Sequence, residues 1–230
     1  MHGTLDAITS FIGNRLNKSK LIIWDWNGTL INDIDACISS MNTMLKKRKM
    51  KIINYSIYRK LFKFPVENYY KSLGFNFKRE PFEKLAIEYI DLYKERSKKA
   101  NLQIGSIKAL DYIKIMGYTQ IIISAMEQNT LEEQIEQNIS INYFESIIGL
   151  NNIHANSKIS NAIKYLIKRK KNKLEEIILI GDTFHDYEVA NTLGCKCILL
   201  GNGHQDLSRF KLNGNINMIN NLLDINETLL

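Results

Sequence analysis

The sequence has few of the residues that cross-link or stiffen a chain. Among 230 residues there are three cysteines and two prolines. The cysteine count is odd, and Cys195 and Cys197 stand as C-K-C inside an apolar stretch. Alternate residues of a strand point to opposite faces, so this pair suits neither a disulfide nor a zinc knuckle. Buried, reduced thiols in a cytoplasmic protein are the reading. No apolar run approaches the ~20 residues that span a bilayer, and no membrane partner is expected. The opening "MHGTLDAITSFIGNRLNKSK" has no basic segment leading into an apolar one, so no signal peptide is expected. Its Leu5, Ile8, Phe11, Ile12 and Leu16 recur instead on one face of a short helix. The net charge is +7, and the densest basic run is "KRKKNK", Lys168 to Lys173. No aromatics interleave with it, and it closes a predicted helix, where cations complement the dipole. A nucleic-acid partner is therefore not expected.

What is present is ordinary in amount: 45% hydrophobic and 24% charged residues, in a chain long enough for one core plus an insert. Four apolar runs read as strands buried on both faces: "LIIWD" (21–25), "QIIISA" (120–125), "EIILIGD" (176–182) and "CKCILLG" (195–201). They do not alternate with polar residues, which points to a parallel sheet. "FESIIGL" (144–150) is a candidate fifth, and "INMINNLLDINETLL" supplies an edge strand and a last helix. Helix-period segments lie between them, among them "SIKALDYIKIMG" (106–117) and "TLEEQIEQN" (130–138), the latter opening on a Thr cap with Glu three residues on. Strand alternating with helix reads as a doubly wound α/β fold. Residues 32–104 break the alternation with apolar residues at helix spacing and no convincing buried strand. Both prolines, Pro65 and Pro81, stand there at plausible helix starts.

Ligands of open parallel sheets bind at the carboxyl ends of the strands. Those ends carry Asp25 and Asn27, then Ser124, then Asp182 and Asp186, with Lys158 opening the helix before the third strand. Oxygen-only carboxylate donors suit Mg²⁺, and a lysine with a serine hydroxyl suits the remaining oxygens of a phosphoryl group. Each residue also has a plainer reading when taken alone. Asp25 and Asp186 fit helix termini, Ser124 a turn, Lys158 a solvated surface, His185 a structural position and Trp26 a core or cap contact. His204, in "GNGHQ", is a further candidate for touching substrate.

In order along the chain, "DWNGTL" (25–30), "IISA" (122–125), "NSKIS" (156–160) and "GDTFHD" (181–186) resemble the four motifs of the haloacid dehalogenase superfamily. The stretch 181–205 looks like its phosphoglycolate-phosphatase-like branch, and the insertion lies where that family carries its C1 cap. The resemblance implies a Rossmann-like core at 1–31 and 105–230 with a helical cap at 32–104. It implies a Mg²⁺-dependent phosphatase acting on a small phosphorylated metabolite. Asp25 would be the nucleophile. Asp25, the Asn27 carbonyl, Asp182 and Asp186 would hold the metal. Ser124, Ala125, Lys158, and the loop at Trp26 and Gly28 would hold the phosphoryl group. Asn27 departs from the pattern, which has a second Asp there as general acid and base. An amide does neither job, so the alternative is a weakly active or inactive phosphoryl-binding protein. A dehalogenase also lacks that second Asp but needs no metal, and Asp182 and Asp186 keep the metal pattern. In the insert, Arg59, Lys60 and Lys63 are candidates to read an anionic substrate, and a solvated helix face beside a core stripe is the plainer reading.

Overall fold

The computed structural model describes residues 20–150, 157–169, 176–210 and 216–229, the side chains of 157–159 and 168–169 excepted. The N-terminal amphipathic stretch therefore lies outside the described residues, as do the side chains of the basic run at 168–173. The main sheet has six parallel strands: β1 (Leu21–Trp24), β4 (Thr119–Glu127), β5 (Ser146–Leu150), β6 (Ile177–Gly181), β7 (Lys196–Leu200) and β8 (Ile216–Ile219). Their spatial order is β5-β4-β1-β6-β7-β8. The chain builds outward from β1 to one side through β4 and β5, then returns to its other side at β6. That reversal makes β1 the switch point, where an open sheet leaves a crevice.

The strands are continuous apolar runs because both faces are covered. Ile22 and Trp24 pack on one face with Leu110, Ile113, Leu131 and Ile135. The last four come from helices α5 (Ser106–Ile115) and α6 (Gln128–Asn138). Leu21 and Ile23 pack on the other with Ala162, Val189 and Ala190, from α7 (Ser157–Arg169) and α8 (Phe184–Leu193). Both β1 faces are wholly buried. The C-terminal strand is joined by a last helix, α9 (Ile225–Leu229), as the sequence suggested.

Two details depart from the sequence reading. The α6 helix starts at Gln128, two residues before Thr130. Its N-cap is Glu127, whose carboxylate accepts from the backbone N–H groups of Asn129 and Thr130. The Thr130 hydroxyl also donates to it, at 2.7 Å. In addition, β4 does not stop at Ala125 but continues to Glu127, through a register shift between Ile123 and Glu127. Such irregularities re-aim a side chain beside a site.

Between β1 and β4 a two-residue antiparallel ribbon, β2 (Ile31–Asn32) with β3 (Asn101–Leu102), carries the chain out to the insertion and back. The insertion holds α1 (Ile34–Lys47), α2 (Tyr55–Leu61), α3 (Val66–Leu73) and α4 (Phe82–Ser97). Pro65 and Pro81 are the N-caps of α3 and α4, where a missing N–H costs nothing. These helices share their own apolar core, including Met41, Met44, Leu45, Tyr70 and Leu85. Arg48 ties α1 to Glu80 at 2.7 Å and to Glu88 at 2.7 Å.

Candidate active site

Asp25 leaves the end of β1, and its N–H donates to the Ile180 carbonyl of β6 at 2.8 Å. This bond keeps the two strand ends together beyond the sheet. Asp182 follows β6 directly, and Asp186 lies in the first turn of α8. Carboxylate oxygens of Asp25, Asp182 and Asp186 fall within 4.8 Å of one another, and all three residues are buried. Asp186 is fixed by a capping box with Thr183: its Oδ2 accepts from the Thr183 N–H at 3.0 Å and hydroxyl at 2.7 Å. Asp182 accepts from the Thr29 hydroxyl at 3.1 Å and from the His204 N–H at 2.5 Å. Burial raises the Asp182 pKa. The nearby His204 opposes the shift, and the neighbouring Asp186 charge adds to it. Three buried carboxylates so close repel one another, and an oxygen-only set of this kind fits a hard divalent cation.

Two glycines permit this crowding. Gly28 has φ +73°, and a Cβ there would run into the Asp182 carboxylate and the His204 ring. A Cβ on Gly203 would collide with the Asp182 side chain. The loops 25–30 and 201–205 approach Asp182 as bare backbone because nothing larger fits.

Asn27 lies beside this cluster. Its Nδ2 donates to Asp33 Oδ2 at 2.9 Å and to the Tyr93 hydroxyl at 2.8 Å. The Ser124 hydroxyl is 3.5 Å from its Oδ1. Asp33 is the hub: it also accepts from the Gly28 N–H at 3.0 Å and the Tyr93 hydroxyl at 2.8 Å, and pairs with His204 Nε2 at 3.1 Å. Burial works to raise its pKa. The His204 charge and the hydrogen bonds from His204, Tyr93 and Asn27 outweigh burial and bring it to about 2. For His204, burial lowers the pKa, but the charge and hydrogen bond of Asp33 outweigh it and raise the pKa to about 9. The other ring nitrogen, Nδ1, meets the Tyr58 hydroxyl at 2.8 Å. An ionised Asp33 and a protonated His204 therefore stand next to Asn27, both buried and both satisfied.

Asp25, Asn27, Ser124, Ala125, Thr183, His185 and His204 all line one cavity of about 450 Å³ between the sheet and the insertion. The indole of Trp26 lies elsewhere, fully buried in the core, donating to Gln134 Oε1 at 2.9 Å. The Trp26 side chain is thus a core contact, and the main chain of the 26–28 loop is what is left for the phosphoryl contact that the resemblance implies. Lys158 sits in the first turn of α7, and its side chain lies outside the described residues. Asp33, Tyr58 and Tyr93 were not legible as site residues. They converge from both ends of the insertion, and no spacing in the sequence announces them.

A model of the haloacid dehalogenase-like hydrolases matches residues 22–200, most of the chain. The chain belongs to that family. This hydrolase is also similar in fold to solved structures. One is a haloacid dehalogenase-like family hydrolase from Streptococcus pneumoniae, with TM-score 0.79 and 18% identity, over 93% of this chain and 99% of that one. A second is a predicted phosphoglycolate phosphatase from Haemophilus somnus, with TM-score 0.74 and 17% identity, over 93% and 99%. A third is protein tyrosine kinase A of Mycobacterium tuberculosis, with TM-score 0.78 and 18% identity, over 92% and 98%. None of the curated proteins matches the chain. At these identities the solved structures speak for the fold, and the site has to speak for the reaction. Among the described residues, no helix of this hydrolase is long and apolar enough to cross a membrane.

Proposed function

We propose that this hydrolase is a Mg²⁺-dependent phosphomonoester hydrolase working through an aspartyl-phosphate on Asp25, with residues 32–104 as its cap and 1–31 with 105–230 as its core. The observation that carries the reading is the meeting of Asp25, Asp182 and Asp186 within 4.8 Å at the sheet's switch point. Asp25, the main-chain carbonyl of Asn27, Asp182 and Asp186 would hold the ion, which when bound supplies positive charge beside the phosphoryl oxygens. Ser124, Lys158 and the N–H groups of the 26–28 loop and Ala125 would complete the phosphoryl cradle.

In the first step the Asp25 carboxylate attacks phosphorus in line. The phosphorus–oxygen ester bond breaks, and its electron pair leaves on the alcohol oxygen. In the second step water attacks phosphorus, the bond to Asp25 breaks, and phosphate departs. Proton delivery distinguishes this chain. The Asn27 amide has no proton to give, and Asp33 beside it is held ionised by His204, Tyr93 and Asn27. Neither Asn27 nor Asp33 can then protonate the departing alcohol. Losing a positioned general acid costs ~10²–10⁴ in rate, and the loss is smallest for leaving groups that need no proton. A phosphoryl-binding protein with little turnover is the second reading, favoured by the double tether of the Asn27 amide to Asp33 and Tyr93.

Hydrolysis of an aryl phosphate, with and without Mg²⁺, tests the proposal. Metal-dependent release of phosphate that vanishes in Asp25→Asn is expected. Silence of the native chain beside activity in an Asn27→Asp, Asp33→Asn exchange would select the binding reading, and silence of both would remove the site assignment.

A further inference from the structure

The floor of the cavity is polar, but its walls are not. Tyr58, Phe62, Phe64, Tyr69, Tyr89 and Tyr93 surround the space above Asp25 and Ser124. They brace one another: Tyr58 stacks on Phe62 with centroids 5.3 Å apart, Phe62 meets Tyr69 edge-on at 5.4 Å, and Tyr89 stacks on Tyr93 at 6.0 Å. The cations expected to read an anionic substrate do not face this space. Arg59 is committed to backbone carbonyls, donating to Gly203 at 2.9 Å, to Gln205 at 2.8 Å and to Gly201. Neither Lys60 nor Lys63 lines the cavity, and among its described lining residues Lys94 is the single lysine or arginine. The acids of the wall are equally engaged, since Glu127 caps α6 and Asp33 pairs with His204. An ammonium carried into this chamber would lose its hydration without gaining a free counter-charge, and a carboxylate would find only Lys94, at an exposed position. The hydroxyl of Tyr69, a residue 2% exposed, has no hydrogen-bond partner among the described residues. Buried polar groups seldom go unpaired, so such a group is a place for a ligand's acceptor.

We infer that the alcohol portion of the substrate is a neutral, ring-sized apolar or aromatic group bearing a hydrogen-bonding substituent that meets Tyr69. This rests on the phosphohydrolase reading for the position of the phosphoryl group and adds the identity of what it is attached to. The cavity volume suits such a group and is ample for a two-carbon acid, whose carboxylate would meet aromatic faces.

Calorimetric binding in Mg²⁺ separates the two claims, using unhydrolysable phosphonates: benzylphosphonate, 4-carbamoylbenzylphosphonate, phosphonoacetate and a choline-like trimethylammonioethyl phosphonate, with inorganic phosphate as reference. The ring compounds are expected to bind at least about tenfold tighter than phosphonoacetate or phosphate. The carbamoyl group is expected to add a factor of about three to ten, lost in Tyr69→Phe. Phe64→Ala, at a half-buried position, is expected to weaken the ring compounds and leave phosphate unchanged. Hydrolysis of 4-nitrophenyl phosphate, whose leaving group needs no added proton, is followed in parallel. Ring preference without hydrolysis upholds the inference and overturns the phosphatase reading. Hydrolysis of phosphomonoesters without ring preference, or a preference for the trimethylammonium compound, overturns the inference and leaves the phosphatase reading standing.

Discussion

The two sides of the cavity are built on opposite principles. On the sheet side, with Asp33 at the root of the insertion, nearly every side chain is ionic or polar, and Asp182, Asp186 and Asp33 each accept several hydrogen bonds from fixed donors. On the insertion side the surface is a set of interlocked rings with one hydroxyl to spare. The first arrangement is rigid and tolerates no change of charge. The second is a matter of shape and area, where a methylene more or less shifts affinity without destroying the site. On the proposed reading, reaction chemistry belongs to the strand ends and substrate choice to the helices.

The comparison is broken most severely from the polar side. Asp25→Asn is expected to lower aryl phosphate hydrolysis on the order of 10³-fold or more with the fold intact, measured as phosphate release beside circular dichroism. The Asp33–His204 pair comes next. Removing one partner strands a buried charge, a cost of about 3–5 kcal/mol. Asp33→Leu or His204→Leu should each show it in urea unfolding, and the double variant should cost clearly less than their sum. Asn27→Asp alone places a second carboxylate against Asp33, where two acids must share a proton. It should lower stability and fail to raise turnover, whereas exchanging the pair, Asn27→Asp with Asp33→Asn, should raise it. Gly203→Ala should follow, with a loss of about 1–3 kcal/mol as the added methyl meets Asp182. A matching change in metal affinity by titration would tie that clash to the site.

The smallest effect lies within the insertion. Hydrogen bonds from Arg48 hold the Glu80 and Glu88 carboxyls below their ordinary values. A depressed folded pKa stabilises above the unfolded value and loses that stability as pH falls through the carboxylate range. Melting temperature should therefore drop on acidification from pH 6 to pH 3, and Arg48→Met should flatten that part of the curve. The ends of the pair are partly exposed, so the change is modest.

The same contrast explains what could be read in advance. Parallel strands buried on both faces leave unbroken apolar runs, so β1, β4, β6 and β7 were legible, and acids at their ends could be placed in one crevice. Asp33, Tyr58 and Tyr93 were not, because their contacts with one another and with His204 join positions 60 to 171 residues apart and follow no period. Helix α2 escaped for a different reason: it is seven residues long, too short to show an apolar stripe, and is announced only by Asn54, whose side chain accepts from the Ile57 N–H. The extension of β4 to Glu127 left no mark because Ala125 and Glu127 are poor strand formers, unlike the isoleucines before them. The expected basic reader of substrate failed because a guanidinium satisfies backbone carbonyls as readily as it does an anion.

The grip of Arg59 on the 201–205 loop has a mechanical meaning. That loop carries His204, and the helix carrying Arg59 also carries Tyr58, which touches the same imidazole. Tyr93, from the far end of the insertion, holds Asn27 and Asp33. Tyr58 and Tyr93 therefore fasten the insertion to the polar floor at two separate points, so that any displacement of the insertion would break both contacts.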